Sequence, residues 1–158
     1  MTTPSVEHAT LVIERHLKAP LARVFRAWST PESKRQWFAC HGAWVPLEYG
    51  LDFRPGGVEK NYVADTDGLL HAYDARYIDI VPDARIIYAY EMKLGETRIS
   101  ASLATVSFEA APGGTKMVFT EQVVFLDGYP DNGARLQGTE IGLGNLELFL
   151  EREESPIH

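Results

Sequence analysis

A chain of 158 residues, 45% apolar and carrying three Trp, seven Tyr and seven Phe, has the material for one sizeable core, and a single domain over 1–158 is expected. The formal charge of −7, with Lys and Arg scattered rather than clustered, excludes the basic footprint of a nucleic-acid binder. No apolar run approaches the roughly 18–20 residues of a spanning helix, the N-terminus lacks the pattern of an export signal, and Cys40 alone can form neither an intramolecular disulfide nor a multi-cysteine zinc site. The expected location is the cytoplasm, with no membrane partner.

Thr10 to Lys18 alternate and are β-rich, which predicts a strand. Ala19-Pro20 then opens a short helix through Val24, Phe25 and Trp28, and Thr30-Pro31-Glu32 starts a second that ends near Trp37-Phe38, with the Thr30 hydroxyl as its expected cap. Gly42 to Gly50 reads as loop. Pro55-Gly56-Gly57 separates two strand-like runs around Phe53 and Tyr62, and Asp67-Gly68 predicts a two-residue hairpin into a run from Leu70 to Val81. Pro82-Asp83 precedes a strand over Ile86 to Met92, and Pro112-Gly113-Gly114 separates strands over Ile99 to Phe108 and Met117 to Val124. From Gly133 to Glu153 the period becomes helical, with Leu136, Leu143, Leu146 and Leu150 as the expected apolar stripe. Strands this close in sequence favour an antiparallel meander, and its apolar face needs a cover that the long helix supplies.

The segments APLARVFRAWSTPE, FRPGG, VPDARIIYAYEM and SLATVSFEAAPGGTKMVFTE, in this order, resemble the domain named after the C-terminal region of the activator of heat-shock protein 90 ATPase, within the START-like (SRPBCC, polyketide cyclase-like) superfamily. The resemblance runs from about Val12 to Leu150 and implies an α+β helix-grip fold. In that fold a curved antiparallel sheet of about seven strands has two short helices after strand one and a long C-terminal helix across its concave face. The eukaryotic co-chaperone of this name carries a separate N-terminal domain for which this chain leaves no length, so chaperone activation does not carry over. The resemblance places a ligand cavity between sheet and helix.

Strand alternation sorts the side chains that such a cavity would use. Tyr88 and Tyr90 share a face, as do Val106 and Phe108, and Phe119 and Glu121; Tyr62 and Tyr77 are expected neighbours, with Trp28 and Trp37 near the mouth and Leu143 and Leu146 on the helix. These residues either fill the core or line a cavity. Glu121 breaks its pattern: among Met117, Phe119 and Val123 a carboxylate is desolvated unless it meets tyrosine hydroxyls, an arginine or water, or unless the strand ends there and it leans into solvent. Gly138, Gly142 and Gly144 each cost the helix up to about 1 kcal/mol relative to Ala, which implies close packing, room for a ligand, or a frayed helix.

The histidines His8, His16, His41, His71 and His158 have no metal-ligand spacing and read as surface residues, although His71 shares a face with Tyr73 and Tyr77. Cys40-His41 has no orienting acid. Asp65-Thr66-Asp67-Gly68 begins like a calcium loop but places Arg76 where the bidentate Glu belongs, and Gly142-Leu143-Gly144 lacks both the third glycine and the preceding strand of a dinucleotide site. No metal or cofactor is expected. The leading expectation is a binding protein for a small apolar or aromatic molecule, linked to stress or secondary metabolism. Its alternatives are a cyclase or hydrolase using Glu121 with Tyr88, Tyr90 or His71 on a polyketide-like substrate, and a co-chaperone-like surface. Self-association into a homodimer stays open.

Overall fold

The computed structural model describes residues 3–39 and 42–154. Strand β1 (Val6–Leu17) leads into helices α1 (Leu21–Ser29) and α2 (Pro31–Phe38). Six strands follow, β2 (Val45–Leu51), β3 (Val58–Ala64), β4 (Leu70–Val81), β5 (Arg85–Leu94), β6 (Thr97–Ala111) and β7 (Gly114–Leu126), and then the long helix α3 (Ala134–Glu154). They form one antiparallel sheet in the order β1-β7-β6-β5-β4-β3-β2, so every neighbour from β2 to β7 is a sequential hairpin and only β1 pairs at a distance. The α+β helix-grip architecture expected from the sequence is present.

Three local expectations are corrected. The stretch read as loop contains β2, an edge strand that tolerates Pro46 because only its β3 side is paired; Phe53 lies beyond it and packs its ring against Phe25 and Tyr77. The chain turns there so tightly that a Cβ on Gly57 would lie 2.0 Å from the Asp52 carbonyl oxygen, and only glycine fits. The β3–β4 connection is a five-residue loop, Asp65 to Leu69, in which the Asp65 carboxylate accepts the N–H groups of Asp67 and Leu69. Thr30 makes no side-chain cap; its backbone carbonyl accepts the Lys34 N–H while Pro31 sets the first helical turn.

Val24, Phe25, Ala27 and Trp28 turn the apolar stripe of α1 onto the sheet, where Phe25 meets Phe108 edge to face. Trp28 and Trp37 pack edge to face at 4.9 Å, and the Trp37 indole N–H donates to the Ala27 carbonyl at 3.0 Å. On α3 the buried residues are Leu143, Leu146, Phe149 and Leu150, whereas Leu136 is exposed. The apolar stripe therefore occupies the second half of the helix only. These side chains join Ile13, Tyr88, Val106, Met117 and Phe119 in one core cluster, with roughly 1.5–3 kcal/mol of apolar transfer free energy per fully buried large side chain.

Candidate functional site

Two ion pairs enter the concave face from opposite sides of the core. On β3, Glu59 shares a face with Val63 and is fully buried; it meets Lys34, the one charged residue that α2 turns inward. The Lys34 ammonium donates to Glu59 Oε1 at 2.8 Å and to the Tyr77 hydroxyl at 3.2 Å, and it faces the Phe38 ring at 4.4 Å. Tyr77 also donates to Oε1, and Tyr49 donates to Oε2, so both carboxylate oxygens are served. Burial pushes the Lys34 proton affinity down, and Glu59 restrains that fall. This cluster is closed and complete.

The second cluster is built on Glu121 of β7, which is also fully buried. Its Oε2 accepts three donors: the Ser102 hydroxyl at 2.6 Å, the Tyr90 hydroxyl at 2.7 Å, and Arg135 Nη1 at 2.9 Å. Arg135 arrives from the first turn of α3, held in place by the Asp131 carboxylate on its N–H, and also donates to the Ser100 hydroxyl. Among the described residues Arg135 makes every polar bond between α3 and strands β5 to β7. Burial opposes its charge, but Tyr90 and Glu121 outweigh that and raise the guanidinium above its ordinary value. Burial first, and then Glu121, raise the Tyr90 phenol far above the ordinary range.

Glu121 Oε1 has no hydrogen-bond partner among the described residues, and neither does the Tyr73 hydroxyl. Tyr73 and Tyr90 lie with ring centres 4.7 Å apart, and Tyr73 contacts Phe38 at 5.0 Å. Burial raises the Tyr88 phenol well above its ordinary value, and the nearby Tyr73 hydroxyl offsets part of that rise, although the two hydroxyls do not meet in hydrogen-bonding geometry. Tyr73, Tyr88 and Tyr90 thus form an aromatic wall between the complete cluster and the incomplete one.

Of the residues expected at the site, Trp28, Trp37, Tyr77, Tyr88, Val106, Phe108, Phe119, Glu121, Leu143 and Leu146 are all buried on the inner side, and Tyr90 is partly buried there. Tyr62 is not with them. It points to the outer face, one residue out of phase with the inward-facing Glu59 and Asn61, and donates to Asp74 at 2.7 Å; that hydrogen bond is the main reason its phenol is pushed up to about 12. His71 sits at the rim against Trp44 and Asp65, away from Glu121. Cys40, His41 and His158 lie outside the described residues. No group of three or more candidate metal ligands occurs among the described residues.

Between the sheet and the second half of α3 the expected cavity residues close on one another. Two surface concavities, of about 420 and 320 Å³, lie on the outer sheet face beside Thr10, Leu103 and Gln122, and beside α2 at Arg35, Trp44 and Val63. The first half of α3 is different: a methyl added at Gly138, Gly142 or Gly144 would meet nothing within 4 Å, so these glycines do not serve close packing. Sequence reading missed Arg135, Ser100, Ser102, Lys34 and Glu59, and it placed Tyr73 only as a neighbour of His71 on one strand face. Ser102 was within reach, because it shares a strand face with Ala104 and Val106.

The family model described as Activator of Hsp90 ATPase homolog 1-like protein matches residues 18–149. The chain belongs to this family. The chain is similar to the structure of an uncharacterized protein from Rhizobium leguminosarum, 87% identical, with a TM-score of 0.93 over 96% of this chain and 99% of that one. A protein from Rhizobium loti is 36% identical, with a TM-score of 0.86 over 92% and 99% of the two chains. An AHSA1-like protein from Aeromonas hydrophila, at 19% identity and a TM-score of 0.70 over 95% and 98%, shares the fold. A comparison with curated proteins gives no match. No helix among the described residues of this family member is long and apolar enough to cross a membrane.

Proposed function

We propose that the protein binds a small, largely apolar or aromatic molecule on the concave face, beneath the first half of α3, with Glu121 as the polar anchor. The observation that carries this reading is the fully buried carboxylate with one oxygen served three times and the other not at all among the described residues, set beside an aromatic wall. An unserved buried acceptor costs about 1–3 kcal/mol, and binding sites of this kind are mostly apolar with a few placed polar groups. Access runs under a helix whose opening half is pinned to the inner strands through Arg135. The test is a titration with a solvatochromic apolar dye, followed by NMR. Saturable one-to-one binding with shifts at Tyr73, Tyr90 and Ser102 is expected. Shifts confined to the outer-face groove at His8, Thr10 and Leu103, or no saturable binding, would refute it.

A further inference from the structure

Resting on that reading, we propose that the molecule is uncharged and donates a hydroxyl group to Glu121 Oε1, as a phenol or an alcohol on a planar ring would. A carboxylate oxygen only accepts, so what fills this position must be a donor. The Tyr90 and Ser102 hydroxyls and Arg135 Nη1 all converge on Oε2, so none of these three donors serves Oε1.

Charge accounting narrows the class. Glu121 with Arg135 sums to zero, and so does Glu59 with Lys34. Among the described residues the fully buried charged side chains are Lys34, Glu59 and Glu121, and with Arg135 they balance, which leaves none of them to offset a charged guest; an unbalanced ion taken out of water is strongly disfavoured. A carboxylate or phosphate would also face Glu121 while the Arg135 charge is already engaged. The buried Tyr73 hydroxyl, without a partner among the described residues, offers a second polar contact. The neighbouring rings of Tyr73, Tyr88 and Tyr90 favour a flat aromatic body.

The contrast with the Lys34 cluster sharpens the assignment. There each carboxylate oxygen has its donors and the site is sealed; here one oxygen waits for a donor. A guest hydroxyl would complete the Glu121 set in the way Tyr49 completes that of Glu59.

The experiment uses the full chain and three probes of one shape, naphthol, methoxynaphthalene and naphthoate, competing with the apolar dye. Naphthol should bind about tenfold tighter than its methyl ether, as one hydrogen bond to a charged acceptor supplies, and naphthoate should bind weakest. In Glu121→Gln, checked for native circular dichroism, the preference for naphthol should fall several-fold; Tyr73→Phe provides a second, milder variant with the fold intact. Equal affinity of naphthol and its ether would mean that Oε1 holds a bound water only, and would overturn the proposal while leaving dye binding in place. Tightest binding by naphthoate, or dye that no probe displaces, would overturn it too. Absence of dye binding itself refutes the broader reading instead.

Discussion

Replacing Lys34 by Met isolates the energetics of the complete cluster. The substitution keeps the length of the side chain and its packing against Phe38 and Trp28 but removes the charge and two hydrogen bonds, at 2.8 and 3.2 Å. Breaking a buried pair leaves an uncompensated ion and costs about 3–5 kcal/mol. Tyr49 and Tyr77 still donate to Glu59, which puts the expected loss at the lower end. At a urea slope of about 2 kcal/mol/M, a loss of about 3 kcal/mol moves the midpoint down by about 1.5 M. Adding Glu59→Gln removes the stranded charge while its amide oxygen keeps an acceptor for the tyrosines, so the double variant should regain at least about 1 kcal/mol relative to Lys34→Met alone. Burial holds the Lys34 proton less tightly in the folded state than at the ordinary 10.5 of the unfolded chain. Wild-type stability therefore gains an upward slope as pH climbs from the lowered value toward 10.5, and Lys34→Met should lack it. The assay is urea unfolding followed by circular dichroism and by fluorescence of Trp28 and Trp37. A loss below about 1 kcal/mol, or single-variant losses that simply add, would refute the reasoning.

The buried phenols set an alkaline limit. Burial raises Tyr73, Tyr77 and Tyr88 well above 10.0, so the folded state keeps protons that the unfolded chain releases. Their contribution is complete below pH 10 and is lost above it at about 1.4 kcal/mol per pH unit for each tyrosine; phenolate absorbance of most tyrosines should rise together with loss of circular dichroism, and a rise while the fold persists would count against it. Gly142→Ala should raise stability by up to about 1 kcal/mol, roughly 2–4 °C in melting temperature for a chain of this size, because its new methyl meets nothing within 4 Å. An unchanged or lowered melting temperature would show that α3 needs that glycine.

Strands β3 to β7 were legible because Gly, Pro and Asp mark nearly every turn between them, and the first two helices because Pro20 and Pro31 open them. β2 was hidden: it carries Pro46, ends in Gly50-Leu51, and is a strand only because β3 offers it a partner. Glu121 was legible as a carboxylate interrupting Met117, Phe119 and Val123. Its partner Arg135 was not, since nothing local in Gly133-Ala134-Arg135-Leu136 says that the first helical turn reaches three strands away. Lys34 was least visible of all, set among Glu32, Ser33, Arg35 and Gln36 on a helix that reads as solvent-facing, and belonging to a type rarely buried without a partner. Leu136 shows the opposite failure, an apolar residue with helical spacing on a half of α3 that packs against little.

The pairing of β1 with β7 has a mechanical consequence. Each strand from β3 to β7 can zip onto its predecessor through a short turn, whereas β1 pairs with the last strand, with Leu17 opposite Thr115 and Val6 opposite Leu126. Since β1 and β2 are the two outer strands, the α1–α2 segment that joins them is a strap stretched from one rim of the sheet to the other. Peeling of the β1 rim would pull first on α1, and the strap as a whole carries Lys34 and Trp37, both buried in the interior.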